Sequence, residues 1–561
     1  MNLLVSSKIM ATGLNNPDPP EIKINSPKNP LMKVILKILI VIFLMTLTSR
    51  SYSDNDPYTI ELERIYIPGA PAIHSFSFAE SNGKWMFVGG RTNGLHGFNA
   101  NDAFPKQFSN KNIFVVDPIS NQTYSKNIFA DINFTAADPL RSTNMQYFQD
   151  GNKLYVIGGY GYDSTSNSLK TFPTLTVFDV AETIQAIING TSISPYMRQI
   201  SDIRLQVCGG EMAKLGDYFY LAGGHDFTGN YTRMVNSQVY TNKIQKFRII
   251  DNGVTVSISD YSSVTDTVEF HRRDMNLVPA LKPDGVTPYL ILYGGVFRYN
   301  QDLPYLNPIN VEQTGYTVDH GFEQKMSQYT CSFLSAFNFN TGSMHTTFLG
   351  GTSLYFYNDI TQQLTYDSLV PFIDDITTLT KKSDGTSSEY LSSVKMPALL
   401  GTNARFILDP SISQTDNKII KLNELSGRTF AGYIFGGIRA LLPNNTPSFP
   451  SDYILKVYIT PKTVNINHIG ANVPDKFELS QNYPNPFNPV TNLRFGIPES
   501  GFTTLKIYDV LGNKVATLVN ELLSPGNYQV QWDGSSFASG VYYYKLETNS
   551  FSETRKMFLL K

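Results

Sequence analysis

The segment "EFHRRDMN" sets His271, Arg272, Arg273 and Asp274 side by side. An imidazole, two guanidiniums and a carboxylate thus come within reach of one ligand. Strand alternation sends His271 and Arg273 to one face, Arg272 and Asp274 to the other. Either arginine suits a carboxylate or a sugar hydroxyl through bidentate hydrogen bonds. The same four residues also suit a structural ion pair between packed sheets, and the sequence leaves both readings open. His225-Asp226 directly follows Gly223-Gly224, and His320 follows Asp319 in an irregular stretch. No two histidines have the i, i+2 or i, i+4 spacing that preorganises a metal on one strand or helix. No metal and no cofactor are therefore expected. Nor is there a G-x-S-x-G elbow, an H-E-x-x-H or a P-loop. Catalytic residues stay unassigned, and the balance leans away from an enzyme.

What must position these residues is a repeat. "WMFVGGRTN", "KLYVIGGYGYD", "YFYLAGGHD", "LILYGGVFR", "TTFLGGTSL" and "GYIFGGIRA" are six apolar runs ending in Gly-Gly, at Gly89, Gly158, Gly223, Gly294, Gly350 and Gly436. Such self-similarity marks a repeat architecture. A continuous apolar run predicts a strand buried on both faces, with the glycines turning the chain where neighbours crowd. Upstream strands are expected in "AIHSFSFAESNGK", "STNMQYFQDGNK" and "CGGEMAKLGDY", downstream strands in "KNIFVVDPISNQTY", "TLTVFDVAET" and "NKIQKFRIIDNG". Six pairs predict six units, with "YTIELERIYI" (58–67) closing the set against the last. The long gap before Gly436 admits a seventh, degenerate unit around "ITTLTKKSDGTSSEYL". The preferred reading is an insertion, with "MPALLGTNARFILD" as a first strand. Cys208 and Cys331 fall on first strands of non-adjacent units, too far apart for a disulfide, and are read as free buried thiols.

The 561 residues contain 45 basic and 47 acidic side chains, a net charge of −2, which excludes a global field attracting nucleic acid. With 33 Tyr and 36 Phe the composition leans towards β-structure. Near the start, Lys33 and Lys37 precede an apolar run from Ile38 to Leu47, short for a bilayer span and suited to a signal-peptide core. Small residues around Ser53 place cleavage before Asp54. Residues 32–53 are thus read as a signal peptide, over the alternative of a membrane anchor, and residues 1–31 as a non-native extension. The mature form is expected to have no integral membrane span.

Two resemblances follow. The glycine-pair units over 57–460 resemble a kelch-type, galactose-oxidase-like β-propeller, although Trp85 is the one tryptophan there and the units run long. Relatives of that type hold copper with tyrosine and histidine from different blades. Here Tyr329-Thr330-Cys331 is comparable, but the relatives' ligand pattern is absent. After a polar linker (461–472), residues 473–561 read as a small immunoglobulin-like β-sandwich. "SQNYPNPFNPVTNLRF", "LKIYDVLGNKVATLV", "GNYQVQWDGSSFASGVYYYKL" and "KMFLLK" closely resemble the type A C-terminal sorting domain of the type IX secretion system. Its motif falls on Asn482, Pro484, Asn485, Pro486, Lys556 and Lys561. That resemblance implies a Gram-negative protein handled by the type IX translocon and a sortase-like protease, then secreted or anchored at the cell surface.

The expected fold is therefore all-β, a six-bladed or seven-bladed kelch-like propeller followed by the sandwich. The expected function is glycan or protein binding through one rim, carried by insertions at 299–327 and 410–428. The alternative is a carbohydrate-active enzyme, mutarotase-like or epimerase-like, or a copper oxidase.

Overall fold

Each Gly-Gly run is the second strand of an antiparallel four-stranded set, to which the fifth sheet adds a short parallel strand, Ile420–Lys421. The computed structural model describes residues 56–97, 99, 102–232, 238–462, 467–468, 473–534 and 537–561. Residues 1–31, the expected signal segment with Ser53 and Asp54, and most of the 461–472 linker lie outside the described residues.

The first sheet contains Ser77–Ser81, Lys84–Val88, Asn112–Asp117 and Gln122–Asn127. The second contains Gln146–Asp150, Lys153–Ile157, Thr174–Asp179 and Met197–Ser201. The third runs from Glu211–Leu215 through Tyr218–Ala222 and Lys243–Asp251 to Val256–Thr265. The fourth runs from Asn276–Leu281 through Pro288–Tyr293 and Ile309–Glu312 to Gly315–Val318. In the fifth, Ser332–Asn338, Ser343–Thr352, Phe372–Lys381 and Ser387–Lys395 follow in order. The sixth comprises Arg405–Leu408, Thr429–Phe435 and Ile454–Pro461, and takes its outer strand from the N-terminal side, Tyr58–Ile65. Tyr58 pairs with Pro461 and Ile65 with Ile454, as the expected closing strand requires.

Packing between the sheets is cyclic. In the second strand of the second sheet, Leu154 and Val156 join a cluster shared with the first sheet. Tyr155 and Ile157 join one shared with the third. Alternation along the strand therefore serves two neighbours, and this is why the run reads as continuously apolar. Further clusters join the third sheet to the fourth, the fourth to the fifth and the fifth to the sixth. The last returns: Phe435 and Ile454 of the sixth pack on Phe76, Trp85 and Phe87 at the first. Phe435 and Phe87 stack at 4.1 Å.

The second glycine of a pair binds the next sheet. Gly90, Gly159, Gly224 and Gly295 donate N–H to the carbonyls of Ser142, Val207, Arg272 and Gln328, and Gly437 donates back to Ile73. At Gly158, φ is 65° and a Cβ would lie 1.9 Å from the Val207 carbonyl oxygen, so a side chain there cannot coexist with this approach.

The stretch that admitted a seventh unit, against the preferred reading of an insertion, supplies the third and fourth strands of the fifth sheet, Phe372–Lys381 and Ser387–Lys395. The insertion at 410–428 is not a free binding loop. Ile420 and Lys421 pair in parallel with Ala336 and Phe337, and Ile412, Ile419, Ile420, Leu422 and Leu425 are buried.

C-terminal to the linker, two four-stranded sheets face each other. Between them lies one core containing Tyr528, Val530, Trp532, Leu505, Ile507, Tyr544 and Met557. Its sequence motif has a mechanical reason. The buried Asn482 side chain donates to the Pro484 carbonyl (3.1 Å) and Thr491 Oγ1 (2.9 Å), while its N–H reaches Tyr544 Oη (2.9 Å). Asn485 Oδ1 accepts from the Phe558 N–H, and Phe487 exchanges backbone bonds with Phe558 and Leu560. The asparagine-proline segment thus fastens the final strand, Ser552–Leu559. Lys556 lies over the Phe558 ring, and the Lys561 N–H donates to Ser539 Oγ.

Candidate binding cavity

Five of the six innermost strands are entered through a residue in left-handed backbone: Ser75 (φ 55°), Asn144 (53°), Gly209 (67°), Asp274 (54°) and Asn403 (55°). Gly, Asn and Asp adopt this conformation most readily. These turns join hands around the axis. Asn144 donates N–H to the Ser75 carbonyl, Gly209 to Asn144, Asp274 to Gly209, Thr330 to Asp274 and Asn403 to Thr330, at 2.7–3.2 Å.

The side chains at and before these turns line an axial cavity of about 50 Å³. One water centre needs ~10–15 Å³, so the space admits a few waters or the head group of a small ligand. His74, Cys208, Arg273 and Asp274 contribute from the turns, and Arg91, Tyr160 and His225 from the residues that follow Gly-Gly. Turn residue and post-glycine residue are bridged in the backbone, His74 with Arg91, Thr143 with Tyr160 and Cys208 with His225. Leu95, His96, Phe104 and Tyr231 come from connections between second and third strands. Leu95 is exposed and marks the mouth.

Two guanidiniums dominate the chemistry. Arg91 is buried, donating through Nε to Asn93 Oδ1 (3.0 Å) and through Nη2 to the Pro105 carbonyl (2.9 Å). Among the described residues no carboxylate lies within ion-pair distance of it. Burial lowers it to about 10, which leaves it charged at neutral pH. Arg273 donates to His225 Nδ1 (3.3 Å) and to the Tyr231 hydroxyl, and its Nε lies 3.5 Å from Asp274 Oδ2. Asp274 also accepts from Asn144 Nδ2 (3.0 Å). Burial pushes its carboxyl up, while Arg273 pulls it back. Whichever way that proton lies, guanidinium charge exceeds carboxylate charge in the cavity.

The imidazoles are neutral. Burial, with Arg91 beside it, lowers His74 to about 3. Burial lowers His96 to about 4, with Arg273 and Arg91 both adding to the effect. Burial and Arg273 hold His225 well below its ordinary value. The Cys208 thiol is pushed up to about 12 by burial, which makes it an inert wall. Aromatic rings complete that wall: Phe104 stacks on His96 at 4.3 Å and meets Tyr160 and Tyr231 edge-on. Phe104 has φ 56° and Phe297 φ 66°, unusual for bulky side chains. Each lies against one cavity guanidinium, Arg91 at 5.2 Å and Arg273 at 4.3 Å. Backbone strain of this kind concentrates at ligand sites.

Of the residues singled out in the sequence, Arg273, Asp274 and His225 meet in the cavity. The alternation expected over 271–274 fails, because the segment precedes its strand and Asp274 is left-handed. Arg272 is fully buried elsewhere, bonded to the Glu269 and Gly294 carbonyls and to Glu269 Oε2, with Tyr305 beneath it at 3.8 Å. Arg272 thus makes a local ion pair with Glu269, while Arg273 faces the cavity. His271 stacks on Tyr240 at 3.8 Å and pairs with Asn242. Asp226 accepts from Gln206. His320 is exposed in its loop. None of these three lines the cavity. Cys208 and Cys331 are free and buried, at the turns just before their strands.

Sequence reading passed over Arg91, His96, Phe104, Tyr160 and Tyr231. The register that singled out His225, the position after Gly-Gly, also marks Arg91 and Tyr160. Copper does not fit this set. Among the described residues no three His, Cys, Asp or Glu side chains are grouped to hold a metal, and two guanidiniums would repel a dication.

Residues 481–560 match the family model of a secretion system C-terminal sorting domain. The segment marks the chain as cargo of the type IX secretion machinery, for export and cell-surface attachment in Bacteroidetes. Among the described residues no helix is long and apolar enough to cross a membrane. No curated protein matches the chain. Similar solved structures include YjhT, at 13% identity and TM-score 0.34, over 57% of this chain and 85% of that one. A glycoside hydrolase family 43 arabinoxylan arabinofuranohydrolase from Bacillus subtilis, in complex with cellotetraose, gives 12% and 0.26 over 87% and 96%. PorZ, a surface component of the type IX secretion system of Porphyromonas gingivalis, gives 10% and 0.13 over 87% of each chain. Similarity this low transfers neither fold nor function.

Proposed function

We propose that residues 57–460 form a six-bladed kelch-like β-propeller, exported by the type IX route, that binds glycan or a surface protein. The ligand enters the axial cavity at the Leu95 mouth. The carrying observation is the cavity itself, a buried, aromatic-walled space with two guanidiniums at the ring axis. Pockets of this make-up, mostly apolar with a few convergent polar groups, are where ligands bind. Six sheets joined by cyclic packing support the blade count. Binding is favoured over proton-transfer chemistry because the cavity imidazoles titrate far below neutrality, where a general acid or base is inefficient.

The full chain should give reproducible hits on a glycan array or in a surface-protein pull-down, and Leu95→Trp, which fills the mouth, should abolish them. A screen for anomer exchange and sugar oxidation on the same preparation separates the carbohydrate-active alternative. Silence in every assay, or hits that Leu95→Trp leaves untouched, would sink the proposal.

A further inference from the structure

Resting on that reading of the cavity, we infer that it is an anion pocket, built for the carboxylate of an acidic ligand, with Arg91 as the principal anchor and Arg273 as the second.

Three observations converge. First, Arg91 is a buried cation without a carboxylate partner among the described residues. A buried charge is tolerated when something compensates it, and here two neutral acceptors, Asn93 and Pro105, do so only in part. Second, the surplus is cationic: Arg91 and Arg273 face the single carboxylate of Asp274. That carboxylate is already engaged by Asn144 and Arg273. Third, His96 feels both guanidiniums, so the two charges converge on one space. Among the described residues the Arg91 side chain hydrogen-bonds through Nε and Nη2 alone. A planar two-oxygen acceptor is the partner a guanidinium prefers.

Size adds a restriction. About 50 Å³ accommodates a carboxylate and its neighbouring carbon, and the rest of the molecule would lie against His96, Phe104 and Leu95 at the mouth. Two sources share this chemistry, an acidic sugar and a short free organic acid. The aromatic wall favours the sugar, whose apolar face stacks on rings.

The test titrates the full chain with D-glucuronate, D-glucose and propionate by calorimetry, together with an acidic-glycan panel. Glucuronate or an acidic glycan should bind while glucose does not. Propionate binding equally well would assign the pocket to free acids and still support a carboxylate site. Arg91→Gln should weaken binding by about tenfold or more, the worth of a charge-assisted bond. It should also leave the thermal midpoint of the ligand-free chain unchanged or higher, since an uncompensated buried charge has gone. If Arg91→Gln does not fold, added sodium glucuronate should still raise the wild-type midpoint where glucose does not. Neutral glycans binding with a Leu95→Trp-sensitive signal, and carboxylates not binding, would overturn the anion inference while sparing the cavity reading. No ligand of either class would overturn both.

Discussion

Arg405, first residue of the inner strand of the sixth sheet, reaches across the ring to Glu211, first residue of the inner strand of the third, Nη2 to Oε1 3.1 Å. Opposite sheets are thus tied through the axis, a few residues beyond the cavity turns at 208 and 403. Both side chains are largely buried, with the Tyr147 ring of the second sheet 5.2 Å from the guanidinium.

Breaking that tie from one side leaves a buried charge without its partner, which costs ~3–5 kcal/mol. Arg405→Met should therefore lower the main unfolding transition markedly. The double variant Arg405→Met/Glu211→Leu should recover most of the loss, because an apolar pair of similar volume needs no compensation. A silent single variant would show the pair to be incidental.

Acid should destabilise the ring through its buried imidazoles. His345 is remote from the cavity lining, bonded through Nδ1 to Thr380 Oγ1 at 2.8 Å, and burial lowers it from 6.5 to about 3. Its folded value lies below its unfolded value, so the neutral form belongs to the fold. The contribution is complete above pH 6.5 and is lost as pH falls from 6.5 towards 3. Between pH 7 and 4.5 the loss amounts to roughly 2–3 kcal/mol. His345→Asn should lose correspondingly less on acidification, read as the difference in melting temperature at the two pH values. Identical pH slopes for both proteins would refute the assignment.

The sorting domain should fail as a unit. Its last strand is held by Asn485 and Phe487 and contributes Met557 and Leu559 to the core. Small domains have little stability in reserve. Removing residues 555–561 should leave the ring folded but the chain in the periplasm, seen by fractionation and blotting. Normal surface delivery of the truncated chain would contradict this role.

Much of this was legible in the residues. Runs such as "KLYVIGG" announce a doubly buried strand because Leu154 and Tyr155 serve opposite neighbours, and "YTIELERIYI" closed the set as expected. The site was legible only in part. His271 to Asp274 look like a strand in sequence, yet a left-handed Asp274 redirects two of them, and one-dimensional alternation carries no sign of that turn. Arg91 was passed over because an isolated arginine after Gly-Gly looks like surface, and only the irregular connection that follows, with Asn93, Phe104 and Pro105, folds back over it. The insertion at 410–428 misled for the converse reason: its isoleucines and leucines are spaced irregularly, but they fill the inner edge of the fifth sheet.

The most direct measurement is a crystal structure of the full chain grown with its strongest array ligand. The account predicts ligand density inside the axial cavity, with oxygen atoms at hydrogen-bond distance from Arg91 and Arg273. A ligand ordered on the outer rim, with only water between the two arginines, would contradict it.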